Sequence, residues 1–150
     1  MKIEDGFTVR APRERVWAFI TDPNQVGPCI PGCTGIEMLR PNAYKAGVRV
    51  AIGPIKAEFK LEVEVQEEVP PRLSRSVTRG EEGSRASMLT AHNLLELEET
   101  EPGVTSVRYS SEISVVGRLG KFGLGVMKKK AEGLGADFVK ALRERLETVA

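Results

Sequence analysis

The sequence contains only two cysteines, Cys29 and Cys33. Two cysteines are too few to crosslink a secreted fold, and without further Cys or His partners they do not form a closed zinc site. No stretch approaches the roughly 18 apolar residues that a membrane-spanning helix requires, and residues 1–10 lack the apolar run of a secretory signal peptide. We therefore expect a soluble cytoplasmic protein with free buried thiols, no metal and no cofactor.

Neither sign of charge dominates, because 22 Lys and Arg residues face 21 Asp and Glu residues in a chain of 150. No bulk field is available to hold a nucleic-acid backbone, so we expect no nucleic-acid partner. The length suits one core and predicts a single domain spanning residues 1–150.

The motifs of common catalytic sites are also missing. The chain has no Gly-x-Ser-x-Gly elbow, no His-Glu-x-x-His pair and no phosphate-binding glycine loop. Its one histidine, His92, falls on the face of its predicted strand opposite Leu89, Ala91 and Leu95, which predicts an outward position. The sequence therefore predicts no catalytic residue and favours a protein that is not an enzyme.

Strand patterns cover most of the chain. Apolar and charged residues alternate from Ile55 to Val65, and Tyr44 to Ile52 has the same period, so the Gly53–Pro54 pair predicts a hairpin between them. Further strands are predicted near residues 2–10, 34–41, 72–80, 85–98 and 104–116. Seven consecutive strands predict antiparallel pairing.

Helical patterns occur in two places. After Pro12 a short amphipathic helix is predicted, and Asp22–Pro23 begins a second one that the Gly27–Pro28 pair ends. From Leu119 to the end of the chain, apolar residues recur at helical spacing, which predicts one long helix. This order predicts an α+β fold in which a curved antiparallel sheet wraps around the terminal helix. Small inward residues allow a void between helix and sheet, although close packing by Val, Leu and Met remains the alternative.

Five short motifs in the same order resemble the helix-grip START/SRPBCC superfamily, and within it the family of the carbon monoxide dehydrogenase G-subunit. They are residues 7–12 (FTVRAP), 16–23 (VWAFITDP), 29–32 (CIPG), 53–55 (GPI) and 117–120 (GRLG). The resemblance implies a helix-grip domain with a deep hydrophobic pocket. It further implies an accessory protein that helps dock a molybdenum-containing carbon monoxide dehydrogenase, or a related oxidoreductase, at the inner face of the membrane and engages a lipid or quinone-like molecule.

The leading functional hypothesis is therefore a carrier for a small hydrophobic molecule. Its alternative is a polyketide cyclase or dehydratase acting on an aromatic or polyketide-like substrate, since related folds carry such activities. A third class, an adaptor with a collapsed core, would have no cavity. The pocket is expected between the terminal helix and the concave sheet, and its predicted lining is Val50, Phe59, Leu61, Val77, Leu89, Tyr109, Phe122, Met127 and Phe138.

Several polar residues share the predicted inward face of their strands, among them Arg75, Arg79, Asn93 and Ser111. Such residues either hydrogen-bond a guest or, if a bulge reverses the alternation, face water. Among the polar residues we expect Tyr109 to contact a guest, because Val107 and Ile113 keep the alternation on both sides of it.

The segment 117–130 combines apolar residues with basic ones. Its glycines would let it open as a lid that touches anionic headgroups or an acidic partner, and the alternative is an ordinary loop followed by the first helical turns. The residues expected to make this contact are Lys121, Leu124, Lys128, Lys129 and Lys130.

Overall fold

The computed structural model of the chain describes residues 2–52, 54–82, 87–117 and 124–147, without the side chains of Ile52, Ile55 and Leu124. Its strands are β1 (Lys2–Val9), β2 (Cys33–Arg40), β3 (Ala43–Ile52), β4 (Ile55–Val69), β5 (Leu73–Glu82), β6 (Ser87–Glu101) and β7 (Val104–Gly117). Its helices are α1 (Arg13–Ile20), α2 (Pro23–Val26), which continues as a 3-10 turn over Gly27–Cys29, and α3 (Leu124–Glu147).

The strands form one curved antiparallel sheet in the order β1-β7-β6-β5-β4-β3-β2. Every neighbouring pair is antiparallel, and β1 and β2 form the two edges. The α+β helix-grip prediction is therefore confirmed, including the two short helices between the first two strands and the long helix at the end.

The hairpin of β3 and β4 follows directly from the alternation in the sequence. Ile52 pairs with Ile55 across the strands, as a two-residue connection requires. Ala57 and Phe59 are buried on one face, while Lys56, Glu58 and Lys60, which alternate with them, are exposed. Strand β4 runs four residues beyond the predicted end at Val65, through a bulge between Val65 and Glu67.

The beginning of α2 has the predicted cap. The Asp22 carboxylate accepts a hydrogen bond from the Asn24 backbone N–H at 3.0 Å and from Gln25 Nε2 at 2.8 Å, and Pro23 occupies the first turn. These bonds lower the pKa of Asp22, with the Gln25 bond as the larger cause. The cap fixes where α2 begins. Helices α1 and α2 contact each other, and we call this pair the α1–α2 end.

Gly32 joins this helical end to the sheet. Its carbonyl accepts a hydrogen bond from the Arg49 backbone N–H at 2.9 Å, and its φ is +79°. A Cβ at this position would lie 2.2 Å from the Arg49 carbonyl oxygen. Only glycine fits this backbone approach, so Gly32 fixes the 3-10 turn against β3.

Helix α3 crosses the concave face of the sheet, and its last turns are anchored to β1. Arg143 Nε donates to the Thr8 carbonyl at 3.1 Å, and the Arg10 backbone N–H donates to the Glu147 carboxylate at 2.8 Å. The predicted first turns of this helix, residues 119–123, lie outside the described residues.

The main core lies where α3, α1 and the strands β1, β6 and β7 meet. Val9, Val16, Leu97, Val107 and Leu142 are all essentially inaccessible to solvent, and Trp17 and Leu146 join the same cluster. Burial of each large aliphatic side chain contributes about 1.5–3 kcal/mol. The buried Thr105 hydroxyl donates a hydrogen bond to the Ala11 carbonyl at 2.7 Å, so this polar group has a hydrogen-bond partner inside the core.

Candidate functional site

A cavity of about 440 Å³ lies beside this core, between the concave face of the sheet, the α1–α2 end and the middle of α3. Its volume is in the range of pockets that hold small organic ligands. Apolar side chains form most of its lining: Ile3, Phe7, Ile20, Val26, Ile30, Val63, Val65, Leu94, Leu95, Val107, Leu134 and Phe138, with Pro23, Pro31 and Ala131. We call this space the cavity.

The residues of α3 that face the cavity explain why the space is open. Ala131 and Gly135 lie one turn apart and alternate with the larger Leu134 and Phe138, so part of the middle of the helix carries little side-chain volume. Gly135 also accommodates a neighbour, since a Cβ at this position would lie 3.0 Å from the Tyr109 hydroxyl oxygen. The helix therefore leaves room for both a guest and the tyrosine.

A polar wall interrupts the apolar lining on strands β5, β6 and β7. Asn93 Nδ2 donates to Ser76 Oγ at 3.3 Å and to Thr78 Oγ1 at 3.0 Å. Ser111 Oγ in turn donates to Asn93 Oδ1 at 2.7 Å. These four residues, which we call the Asn93 network, satisfy one another inside an apolar site, as buried polar groups require.

Tyr109 lies where the cavity meets an outer cleft beside Lys2 and Lys128. Its ring packs edge-on against Phe7 with 6.5 Å between ring centroids, and its hydroxyl donates to Asp5 Oδ2 at 3.5 Å. Burial raises the pKa of Tyr109, and the nearby Asp5 carboxylate adds to the effect. Tyr109 therefore stays a neutral phenol with its hydroxyl at the rim of the cavity.

A second tyrosine, Tyr44, lines the cavity from strand β3. Burial raises its pKa as well, so it also remains protonated near neutral pH. Sequence reasoning did not include Tyr44 in the lining. The alternation of β3 already places it on the inward face, so the signal that could have found it is present in the sequence.

The predicted lining residues separate into two groups. Tyr109 and Phe138 lie on the cavity. The others among the described residues do not line it: Val50, Phe59, Leu61, Val77, Leu89 and Met127. Phe122 lies outside the described residues. Phe59 is instead buried in a small cluster with Ala57, against which Leu61, Leu89 and Val115 pack, because the cavity forms over the other half of the concave face.

The predicted inward face of β5 is wrong. Ser76 pairs with Asn93, and both side chains are hydrogen-bonded on the cavity side, so Val77 points to the opposite face beside Glu64 and His92. Arg75 and Arg79 share that outer face and are exposed, and Arg75 forms an ion pair with Glu67 at 2.9 Å. The small hydroxyl residues face inward because Asn93 and Ser111 give them hydrogen-bond partners there.

His92 is exposed on the outer face, where it pairs in register with Val77 and Glu112. Cys29 is buried and Cys33 is half-buried, and burial raises the pKa of the Cys29 thiol. This thiol is therefore protonated and a weak nucleophile at neutral pH.

Further depressions lie on the surface of the described residues. One of about 800 Å³ runs between β1 and α3 and is lined largely by charged residues such as Arg10, Lys140 and Arg143. Another of about 680 Å³ crosses β2 to β6, where Leu61 and Leu89 lie among exposed lysines and glutamates. A third of about 530 Å³ lies between Lys2, Tyr109 and Lys128. Charged residues line these depressions, as is usual for surface clefts. The cavity is smaller but mainly apolar, and it is therefore the better candidate for a ligand site.

The basic residues predicted to contact a membrane or partner lie in the first turns of α3. Lys128 and Lys129 are exposed and Lys130 is half-buried, next to Val126, whose side chain is 49% exposed. Lys121 and the side chain of Leu124 lie outside the described residues. None of the helices in the described part of the chain is long and apolar enough to span a membrane.

Comparison with known proteins gives a family match over almost the entire chain. The family model for CoxG, the G-subunit of carbon monoxide dehydrogenase, matches residues 6–147. No curated protein matches the chain.

Solved structures share the fold. A conserved protein from Geobacillus kaustophilus is similar with a TM-score of 0.90 and 23% identity, over 98% of this chain and 95% of that one. A START superfamily protein from Mycobacterium smegmatis has a TM-score of 0.74 and 16% identity, over 99% of both chains. The Zhui aromatase/cyclase from Streptomyces sp. R1128 has a TM-score of 0.71 and 13% identity, over 98% of this chain and 93% of that one.

Proposed function

Because the chain belongs to the CoxG family of carbon monoxide dehydrogenase G-subunits, a family of helix-grip proteins, we propose that it carries a small hydrophobic molecule, such as a lipid or quinone-like compound, in the cavity. The observation that carries this proposal is the apolar space of about 440 Å³ beside a fully packed core. Burial of apolar guest surface supplies the affinity, at about 25 cal/mol per Å². The Asn93 network and Tyr109 supply orientation.

The carrier function is tested by filling the space from α3. Ala131→Leu places a larger side chain in the cavity and is expected to weaken binding of an apolar fluorescent probe, diphenylhexatriene, by about tenfold or more, which is at least 1.4 kcal/mol. Native mass spectrometry of the freshly purified wild type, followed by organic extraction, identifies any molecule that co-purifies.

The matched control is Ala136→Leu on the same helix. Ala136 is exposed and lines the outer cleft between β1 and α3, so this change adds the same volume outside the cavity. Probe binding that responds equally to both substitutions, or a wild type that binds no probe, would contradict the carrier function.

The second part of the proposal is an accessory role at a membrane, with a molybdenum-containing carbon monoxide dehydrogenase or related oxidoreductase as partner. Exposed apolar residues occur on both sides of the segment 118–123, and basic residues follow it. Val116 at the end of β7 is 58% exposed and Met88 beside it is 54% exposed, while Val126 and the lysines Lys128–Lys130 follow in α3. Each lysine near an anionic membrane surface contributes about 1 kcal/mol of electrostatic attraction. Three lysines therefore give a weak contact, and we expect membrane binding to be reversible.

Sedimentation with anionic vesicles tests the membrane contact. Binding is expected at low salt, is expected to fade as salt rises, and is expected to disappear when Lys128, Lys129 and Lys130 are changed to Gln. The control changes three exposed lysines on the outer face of the sheet, Lys45, Lys56 and Lys60, and removes the same charge. Equal losses in the two triple variants would contradict a specific contact.

A second candidate is an enzyme of the aromatase/cyclase type, the activity named for the Streptomyces relative. One arrangement supports it, the Tyr109 phenol beside the Asp5 carboxylate at the rim of the cavity. Turnover of polyketide-like aromatic precursors that is lost in Tyr109→Phe but retained in His92→Gln would favour this alternative. Absence of turnover with retained probe binding would favour the carrier.

A further inference from the structure

The hydrogen bonds of the Asn93 network leave a defined set of polar atoms for a guest. Both hydrogens of Asn93 Nδ2 are taken, one by Ser76 Oγ at 3.3 Å and one by Thr78 Oγ1 at 3.0 Å. The hydroxyl hydrogen of Ser111 is taken by Asn93 Oδ1 at 2.7 Å. The amide therefore orients three hydroxyl groups at once.

Two of these hydroxyls, Ser76 and Ser111, line the cavity together with Asn93. Ser76 accepts from the amide through its oxygen, and no acceptor among the described residues takes its hydrogen, so it can donate to a guest. Ser111 has given its hydrogen to Asn93, so its oxygen is left to accept. The wall presents one donor and one acceptor in the same sheet row, one on either side of Asn93.

The charge of the lining decides which guests can use these atoms. Lys, Arg and His are absent from the described residues that line the cavity, and its one carboxylate, Glu68, lies at an exposed position. An ionised carboxylate or phosphate would lose its hydration in the cavity without gaining a cation. A carbonyl or hydroxyl loses far less hydration and regains one hydrogen bond.

We propose that Ser76 and Ser111, oriented by Asn93, select an apolar guest that carries a neutral carbonyl or hydroxyl oxygen and reject one that carries a carboxylate. This selectivity rests on the proposed carrier function and specifies its ligand class. Ser76 serves a carbonyl or hydroxyl acceptor, and Ser111 serves the hydrogen of a hydroxyl.

Displacement of diphenylhexatriene, a hydrocarbon without polar atoms, tests this selectivity. Three competitors of equal carbon number are compared at about pH 8, where a carboxyl group is ionised: decanol, methyl octyl ketone and decanoate. Decanol and the ketone are expected to compete at least about tenfold more strongly than decanoate.

Single substitutions test whether Ser76, Ser111 and Asn93 are responsible for the selectivity. Ser76→Ala is expected to weaken competition by the ketone about three- to tenfold, measured relative to the diphenylhexatriene affinity of the same variant, since one neutral hydrogen bond is lost. Ser111→Ala is expected to weaken competition by decanol more than competition by the ketone. Asn93→Asp keeps the shape but replaces the amide donors with acceptors, so the Ser76 hydrogen turns to the carboxylate and the ketone loses its donor. Ser114→Ala, exposed on the outer face of β7, is the matched control.

The outcomes separate the two levels of the proposal. A wild type that binds no diphenylhexatriene overturns the carrier function and this selectivity with it. Diphenylhexatriene binding together with equal competition by decanoate and decanol overturns the selectivity alone. Competition by the ketone that is unchanged in Ser76→Ala also overturns the selectivity. If Asn93→Asp does not fold, Ser76→Ala and Ser111→Ala still provide the test.

Discussion

The concave face of the sheet has two halves that are formed by similar strands but differ in how tightly their side chains pack. The packed half, defined by Ala57 and Phe59, closes on itself: Phe59 is 6% exposed, and Leu61, Leu89 and Val115 pack against this pair. The cavity half, defined by the Asn93 network and Tyr109, stays open under Ala131 and Gly135 of α3.

The difference shows what keeps a protein interior open. In the packed half, apolar side chains bury Ala57 and Phe59, and the open space beside them is a surface cleft at Leu61 and Leu89. In the cavity half, the strands contribute hydroxyl and amide groups that bond to one another instead of to a filler, and the helix contributes small residues opposite them.

The largest effect is expected from truncating one aromatic residue in each half. Phe59→Ala is expected to lower the free energy of unfolding by about 3–5 kcal/mol, because it removes a packed side chain. Phe138→Ala is expected to cost clearly less, about 1–2 kcal/mol, because part of its surface already borders open space. Urea unfolding of both variants measures the difference. Equal costs would mean that the two halves are packed alike.

An intermediate loss in the free energy of unfolding is expected when Glu147 is changed, at the end of α3 that is bonded to Arg10 and Thr8. The pKa of Glu147 lies below the ordinary glutamate value, first because the Arg10 backbone N–H donates to the carboxylate. A carboxyl group with a lowered folded pKa stabilises the protein above its unfolded pKa, and this contribution is lost as pH falls through the folded value. Glu147→Gln is expected to cost about 1 kcal/mol at neutral pH, with urea unfolding as the measurement.

Unfolding curves measured at a series of falling pH values check whether the contribution of Glu147 to stability decreases on acidification, as expected. The gap between wild type and Glu147→Gln is expected to narrow as the solution is acidified below the usual glutamate range, because the wild-type carboxylate becomes protonated. Glu132→Gln, an exposed position on the same helix, serves as the control and is expected to run parallel to the wild type. A gap that stays constant with pH would show that the loss comes from packing and not from the charge.

The smallest effect is expected at His92, on the outer face behind the cavity half. His92→Gln is expected to change the free energy of unfolding by less than about 0.5 kcal/mol and to leave diphenylhexatriene binding unchanged, because the side chain is exposed. Thermal unfolding and probe titration measure both quantities. A loss of several kcal/mol would contradict the outward position of the histidine.

Only part of the candidate site can be predicted from the sequence, where one strand face is plainly apolar. Alternation places Tyr109, Asn93 and Ser111 on the inward face, and they lie on the cavity. It misses Ser76 and Thr78, because Leu73 and Val77 favour the opposite face of β5. The only signal for them is indirect: a run of Ser and Thr can face inward when an amide on the next strand is available to bond with them.

What the sequence determined by itself is the set of local elements. Period-two alternation specified the β3–β4 hairpin, helical spacing specified the terminal helix, and Asp22 with Pro23 specified the beginning of α2, since each signal acts between residues close in the chain. Only the tertiary structure decided which face of β5 turns inward and which half of the sheet stays open. Both depend on partners from distant strands and on where Ala131 and Gly135 cross the sheet, and no local pattern records those contacts.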